Sequence, residues 1–341
     1  MQALVTGATG LLGRHLVNVL AEAGMQVRAL VRRSSDTSHL ENRGVELIIG
    51  GAGDGEAIGQ AVAGVDLVFH VAGYLTANAP FGTDDNQADG EWPVYKAINV
   101  DFTEALLGAS LDASVGRFVY VSSSSVYDVD APVPTAENAP LRPFSIYGRS
   151  KLMAEEKVCA FQAKGLATTI IRPPIVYGPG DRYFTPMALR LTKLPVLPLI
   201  NGGRNLMDMV YVGDVAELMW LASGRETAVG EAYNAGPGQP TSIHDLVHAY
   251  RGITGSLRPF IVPVSLQASR RTAWLSRRLV KPFIAEAGSA LTPQGLTLMS
   301  RDLHLDMGKA ARDLGFQPLV DLYEGLALTL RSGERRVASG A

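Results

Sequence analysis

Several things are scarce in this 341-residue chain. It has one cysteine, Cys159, so no disulfide can form within it. Charged residues make up only 19% and the formal net charge is −2, which excludes a strong positive field drawing nucleic acid to the whole molecule. No uninterrupted apolar run reaches about 18 residues, so no membrane-spanning helix is expected. No charged start followed by a long apolar run opens the chain, so no secretory signal peptide is expected and a reducing cytoplasm is the expected location. The sequence holds no internal repeat or low-complexity tract, and no metal site is expected. What is present in quantity is apolar residue, 47% of the chain, enough for one large core or two smaller ones.

Strand-like and helix-like runs alternate through the first half. Strands are expected at Ala3–Val5, Val27–Val31, Val45–Ile49, Leu67–His70, Phe118–Ser122 and Thr168–Ile171. Helical spacing lies between them, near Arg14–Ala23, Ala97–Ala109 and Gly148–Lys164. After Arg172 prolines cluster, then Asp214–Ala222 reads as a helix and Ala232–Asn234 as a strand returning to the sheet. This alternation predicts an α/β protein: a Rossmann-type, doubly wound parallel sheet with a smaller, mostly helical C-terminal lobe. The expected division is 1–175 with 205–237 for the sheet domain, 176–204 with 238–330 for the second lobe, and a tail at 331–341.

The segment Thr6-Gly7-Ala8-Thr9-Gly10-Leu11-Leu12-Gly13 stands between the first strand and the first helix. Gly7 lets the chain leave the strand with an unusual backbone angle, Gly10 lets the backbone approach a pyrophosphate, and Gly13 lets the helix pack tightly. The 36 glycines make such spacing common by chance, so its place after a strand carries the inference. A plain strand–helix turn is the alternative.

Tyr147 and Lys151 stand four apart in a helical stretch, on one face. A phenol titrates too high to exchange protons readily at neutral pH, and a neighbouring ammonium favours the phenolate. Ser122-Ser123-Ser124-Ser125 follows a strand, where open α/β sheets hold ligands, and a hydroxyl there can bond a reacting oxygen. Cys159 reads as a packing residue, with no histidine near it in sequence. Basic residues alternate with apolar ones over 270–284, as on a lid helix with a solvated basic face; a membrane-surface helix is the other reading, leaving peripheral membrane contact open.

The order of the glycine motif, strand-end serines, Tyr-x-x-x-Lys and Arg172-Pro173-Pro174 resembles the extended short-chain dehydrogenase/reductases over nearly the whole chain. His70-Val71-Ala72-Gly73, Asn99 and Tyr211-Val212-Gly213-Asp214 match as well. The resemblance implies a catalytic Ser123, three before the valine of Val126-Tyr127 and with Ser124 its nearest rival, together with Tyr147 and Lys151. It implies a nicotinamide cofactor held by Gly7, Thr9, Gly10, Leu11, Leu12, Gly13, Arg32, Asp54, Val71, Ala72, Gly73, Asn99, Tyr147, Lys151 and Pro173. It also implies a homodimer.

The second strand ends Val31-Arg32-Arg33-Ser34, with no acid before Asp36. Arginine at this place suits the 2′-phosphate, so NADP(H) is favoured over NAD(H). Nucleotide-sugar members of the family carry Asn before Val-Tyr-Gly-Pro and Arg in the later segment; here Ile175 and Met207 stand there, leaving a diphosphate poorly compensated. The pattern is similar to the 3β-hydroxysteroid dehydrogenase branch, whose members act on sterols, 2-alkyl-3-keto acids and other apolar ketones or alcohols. The expected function is therefore hydride transfer between NADP(H) and a small apolar substrate. The alternatives are a nucleotide-sugar epimerase or dehydratase, and a non-catalytic cofactor-sensing protein.

Overall fold

The computed structural model describes residues 1–76, 85–182, 184–192, 194–255, 260–269, 271 and 293–338. The basic stretch 270–284 lies outside the described residues except for Arg271.

In chain order the first half holds β1 (Gln2–Thr6), α1 (Leu11–Glu22), β2 (Gln26–Val31), α2 (Ser38–Glu41), β3 (Glu46–Ile49), α3 (Gly55–Val62), β4 (Leu67–His70) and α4 (Asp85–Tyr95). A π-helical turn, Lys96–Asp101, leads into α5 (Phe102–Asp112), β5 (Arg117–Val121), α6 (Ile146–Gln162) and β6 (Thr168–Arg172). The second half holds β7 (Ile175–Tyr177), α7 (Phe184–Thr192), β8 (Val196–Ile200), β9 (Met209–Tyr211), α8 (Val212–Ser223), β10 (Ala232–Asn234), α9 (Ile243–Thr254) and β11 (Phe260–Val264). Three helices complete it: α10 (Pro293–Met299), α11 (Gly308–Leu314) and α12 (Leu322–Ala338).

Seven strands form one sheet in the order β10-β6-β5-β4-β1-β2-β3, every pair parallel. Every residue of β4, β5 and β6 is buried, because helices cover both faces; apolar residues dominate β4 and β5, while His70, Arg117, Thr168, Thr169 and Arg172 are the buried polar ones. Alternate residues serve the two faces. Ala3, Val5, Phe69 and Val119 pack with Leu16 and Leu20 of α1 and Leu218 and Met219 of α8. Leu4, Val68, Phe118 and Tyr120 pack with Ile58 of α3, Leu106 of α5 and Val158 of α6.

The smaller lobe has its own core of Tyr177, Ala188, Met209, Leu246, Tyr250 and Leu326. Two small parallel sheets, β7–β9 and β8–β11, belong to it. These four strands were not expected, and α12 runs past the residue 330 at which this lobe was expected to end. Cys159 is exposed rather than packed: the buried residues of the same helix include Lys151, Ala154, Glu155 and Val158, and the thiol falls beside that stripe. No helix among the described residues is long and apolar enough to cross a membrane.

β1 has β2 on one side and β4 on the other, so successive connections leave it in opposite directions. A doubly wound sheet opens a crevice at that switch point, beyond the carboxyl ends of the strands. The glycine turn after β1 and Val71–Gly73 after β4 both lie there.

Candidate active site

A cleft of about 880 Å³ begins at this crevice and continues to the smaller lobe. Gly7, Thr9, Gly10, Leu11, Leu12, Gly13, Arg32, Val71, Ala72, Gly73, Ser123, Tyr147, Lys151 and Pro173 all line it. Asp54 and Asn99 do not. Asp54 caps α3, accepting from the Ala57 amide at 3.0 Å. Asn99 is buried behind the wall: its Oδ1 accepts from the Tyr74 amide at 2.6 Å and its Nδ2 donates to Ser150 Oγ at 2.8 Å.

The glycine turn has the shape a dinucleotide needs. Gly7 has φ +71°, and a Cβ there would stand 2.7 Å from the Ala72 nitrogen. A Cβ on Gly13 would collide with the Gly7 carbonyl oxygen, so α1 can approach β1 this closely only with hydrogen in that place. Gly10 caps α1 with no side-chain hydrogen bond, so its first amides face the cleft uncapped among the described residues. The residues present thus fit a pyrophosphate-bearing cofactor. Beneath the turn, Thr6 Oγ1 and Thr103 Oγ1 hold the two nitrogens of His70 at 2.7 and 2.8 Å. Burial, with the Lys151 charge in second place, brings His70 down to about 3, so it is a neutral strut between β1, β4 and α5.

Tyr147 lies in the first turn of α6, which Ser145 caps by accepting from the Gly148 amide at 3.0 Å. Lys151 follows one turn later, buried, its Nζ donating to the Val121 carbonyl at 2.7 Å and lying 4.9 Å from the Tyr120 ring centroid. Burial brings this ammonium down to about 8, against the pull of Glu155. Tyr147 is pushed up to about 12 by burial, while the hydrogen bond with Ser123 pulls it down and Tyr95 pushes it up. The lowering of the phenol expected from Lys151 is not found: Ser123 alone pulls it down, burial outweighs that pull, and Tyr147 stays protonated at neutral pH. Ser123 is buried at the end of β5, where its Oγ accepts from the Ser125 amide at 3.1 Å.

At the end of β2, Arg32 and Ser35 line the cleft together with Arg14; Arg33 and Ser34 are not among the lining residues. Asp36 is turned to Ser38, whose hydroxyl donates to Oδ1 at 2.6 Å, and to Arg14 at 3.9 Å. The Ser38 hydrogen bonds hold this carboxyl below its ordinary range.

The rest of the cleft lining holds apolar Phe184, Pro186, Met187, Leu298, Leu303 and Leu305 together with polar Asp128, Thr135, Asp181, Arg182 and Arg190. Ile175 and Met207 are both in its lining. Two polar arrangements here were not anticipated. Arg172 forms a two-pronged pair with Glu155, Nε to Oε1 at 3.0 Å and Nη2 to Oε2 at 2.7 Å, and donates to Tyr127 Oη at 3.0 Å and the Glu137 carbonyl at 2.9 Å. It fastens α6 to β6. Asp208 and His304 form the second arrangement, with His304 Nδ1 at 2.9 Å from Asp208 Oδ1. The partners lie 96 residues apart in sequence; Asp208 belongs to the later segment that Met207 opens, but nothing local there points to His304. Asp214 of the Tyr-Val-Gly-Asp segment serves the framework, accepting from the Leu319 and Val320 amides at 3.2 Å each.

Comparison with known proteins adds four findings. The family model described as "NAD dependent epimerase/dehydratase family" matches residues 3–236. The chain is 32% identical over 342 residues to the 2-alkyl-3-oxoalkanoate reductase of Stenotrophomonas maltophilia, covering 96% of this chain and 97% of that one. It is 29% identical over 336 residues to the 4-hydroxy-2-methyl-3-oxo-4-farnesyl-3,4-dihydroquinoline-1-oxide ketoreductase of Stigmatella aurantiaca, covering 98% and 97%. Among solved structures, MoeE5 in complex with UDP-glucose and NAD superposes with a TM-score of 0.76 at 28% identity, covering 99% of this chain and 100% of that one.

Proposed function

This chain belongs to the NAD dependent epimerase/dehydratase family and is an NAD(P)-dependent oxidoreductase, and we propose that it reduces an apolar ketone to a secondary alcohol with NADPH. The observation that carries this reading is that Ile175 and Met207 both line the cleft that Ser123, Tyr147 and Lys151 also line. At both places an apolar side chain replaces a polar anchor that would offset a diphosphate, and burying that group unpaired is costly.

Gly7, Gly10 and Gly13 with the start of α1 would hold the pyrophosphate, Val71–Gly73 and Pro173 would flank the site, and Arg32 with Ser35 would take the 2′-phosphate. When bound, the nicotinamide supplies the hydride. Tyr147, protonated at neutral pH, holds the proton destined for the carbonyl oxygen, and acts as base in the reverse direction. Ser123 Oγ orients that oxygen. Lys151 keeps a positive charge below the phenol at neutral pH and is the residue assigned to the nicotinamide ribose. The apolar wall of the smaller lobe, assigned to 176–204 and 238–330 with β9 added, excludes water and selects the substrate. Association as a homodimer belongs to the same reading and is checked by light scattering.

The test is steady-state NADPH consumption over a homologous series of alkyl ketones, with UDP-sugars as controls. Each buried methylene contributes ~0.8 kcal/mol, so kcat/KM rises roughly fourfold per added carbon until the pocket is full. A flat response, or conversion of a UDP-sugar without net NADPH consumption, moves the protein to the epimerase reading, which the superposition on MoeE5 keeps in view.

A further inference from the structure

The cleft lining contains a carboxylate–imidazole pair that hydride transfer does not use. Asp208 lies at the start of β9, almost wholly buried, with 1% of its side chain exposed. Its Oδ2 accepts from the Leu305 amide at 2.8 Å, and its own amide donates to the Leu303 carbonyl at 3.1 Å. His304, between those two residues, brings Nδ1 to 2.9 Å from Oδ1 and 3.2 Å from Oδ2. The backbone of His304 is itself fixed, its carbonyl accepting from the Thr135 amide at 2.7 Å. The ring is therefore clamped from three chain segments. Nδ1 donates to the carboxylate, while Nε2 meets no hydrogen-bond partner among the described residues, and the ring lines the cleft with 16% of its side chain exposed.

A buried carboxylate that fixes an imidazole at one nitrogen presents the other nitrogen to whatever enters. Leu298, Leu303 and Leu305 stand in the same wall; a substrate that displaces water from Nε2 and leaves that nitrogen unpaired binds at a cost, so the site favours a substrate with a polar group at this point. The group that fits both charge states of the ring is an acidic hydroxyl: its proton bonds to neutral Nε2, and its anion accepts from protonated Nε2.

We propose that His304, positioned by Asp208, is a specificity residue that anchors a second, acidic oxygen of the substrate, as in a carboxylic acid, an enol or a phenol. The proposal rests on the reading of the cleft as a ketone-binding site and narrows its substrate class.

Two measurements separate the fate of the proposal from that of the underlying reading. The first is calorimetric binding of octanoic acid against methyl octanoate, neither of which is a ketone. The second is kcat/KM for NADPH consumption with a keto acid against its methyl ester. In the wild type the acid is favoured roughly tenfold or more in both. In His304→Phe, and in His304→Met as a second replacement of different shape, the preference falls below about threefold. Each preference is a ratio within one variant, so partial loss of folded protein cancels. Asp208→Asn keeps an acceptor for Nδ1 and retains the preference, whereas Asp208→Leu loses it; a preference that survives Asp208→Leu overturns the positioning role. No preference in the wild type, or one that survives both His304 replacements, overturns the anchor. Ketone turnover without an acid preference leaves the reductase reading standing and the anchor refuted. An acid preference in binding without turnover of any ketone does the reverse.

Discussion

Replacing Lys151 by methionine keeps the length of the side chain and removes a charge from the interior. Holding that ammonium at about 8, against its ordinary 10.5, costs the folded state roughly 3 kcal/mol at pH 7. The replacement also deprives the Val121 carbonyl of its 2.7 Å donor, a loss of ~1–3 kcal/mol. At neutral pH the variant is therefore between equal to and about 2 kcal/mol more stable than the wild type, although Lys151 belongs to the proposed catalytic set. The pH dependence isolates the charge. Between about 8 and 10.5 the unfolded chain binds more protons than the folded one, so the wild type gains stability as pH rises through that window. The penalty is complete below 8 and gone above 10.5. Urea denaturation of both proteins, followed by far-UV circular dichroism, measures the difference, and every group common to both cancels. From pH 7 to pH 10 the stability of Lys151→Met relative to wild type falls by roughly 2.5 kcal/mol. A difference that stays flat within about 0.5 kcal/mol over that range refutes the claim that burial strains this ammonium.

Tyr147→Phe removes the transferable proton and little volume; turnover falls by ~10²–10⁴-fold, with NADPH affinity by fluorescence titration within a few-fold of wild type. Residual activity above about a tenth removes Tyr147 from its role. Arg32→Ala lowers the NADPH-over-NADH preference in kcat/KM by about ten- to a hundred-fold; a wild type indifferent to the two cofactors defeats that assignment. Glu155→Ala leaves the Arg172 guanidinium buried and unpaired, which costs ~3–5 kcal/mol and shows as a large drop in melting temperature; a drop under a degree contradicts it.

The dinucleotide half of the fold was legible because strands buried on both faces are spelled as apolar runs, and β4, Leu67–His70, was read at its observed limits. The strands of the smaller lobe were not. β7 and β9 are three residues long, while β8 and β11 carry Pro198 and Pro263, which argue against a strand when read locally. Their partners are supplied by the fold: Val196 pairs with Phe260, far along the chain. The same contrast divides the site. Glycines and a Tyr–Lys pair within one turn are local and readable. The Lys151 bond to the Val121 carbonyl and the clamp on His304 are made across the tertiary structure, and residue type alone carries no trace of them.

The wall that carries His304 has a consequence for the order in which the protein comes into being. It is joined from three stretches of chain: Thr135 bridges Leu305, and Met207 bridges Leu303. Synthesis delivers the glycine turn first, Ser123, Tyr147 and Lys151 next, and the 303–306 rung late. A nascent chain thus possesses the parts assigned to holding the cofactor and moving a proton well before it possesses the surface assigned to selecting a substrate. On this assignment the residues given to chemistry are laid down early, and the His304 rung given to discrimination is fitted onto them late.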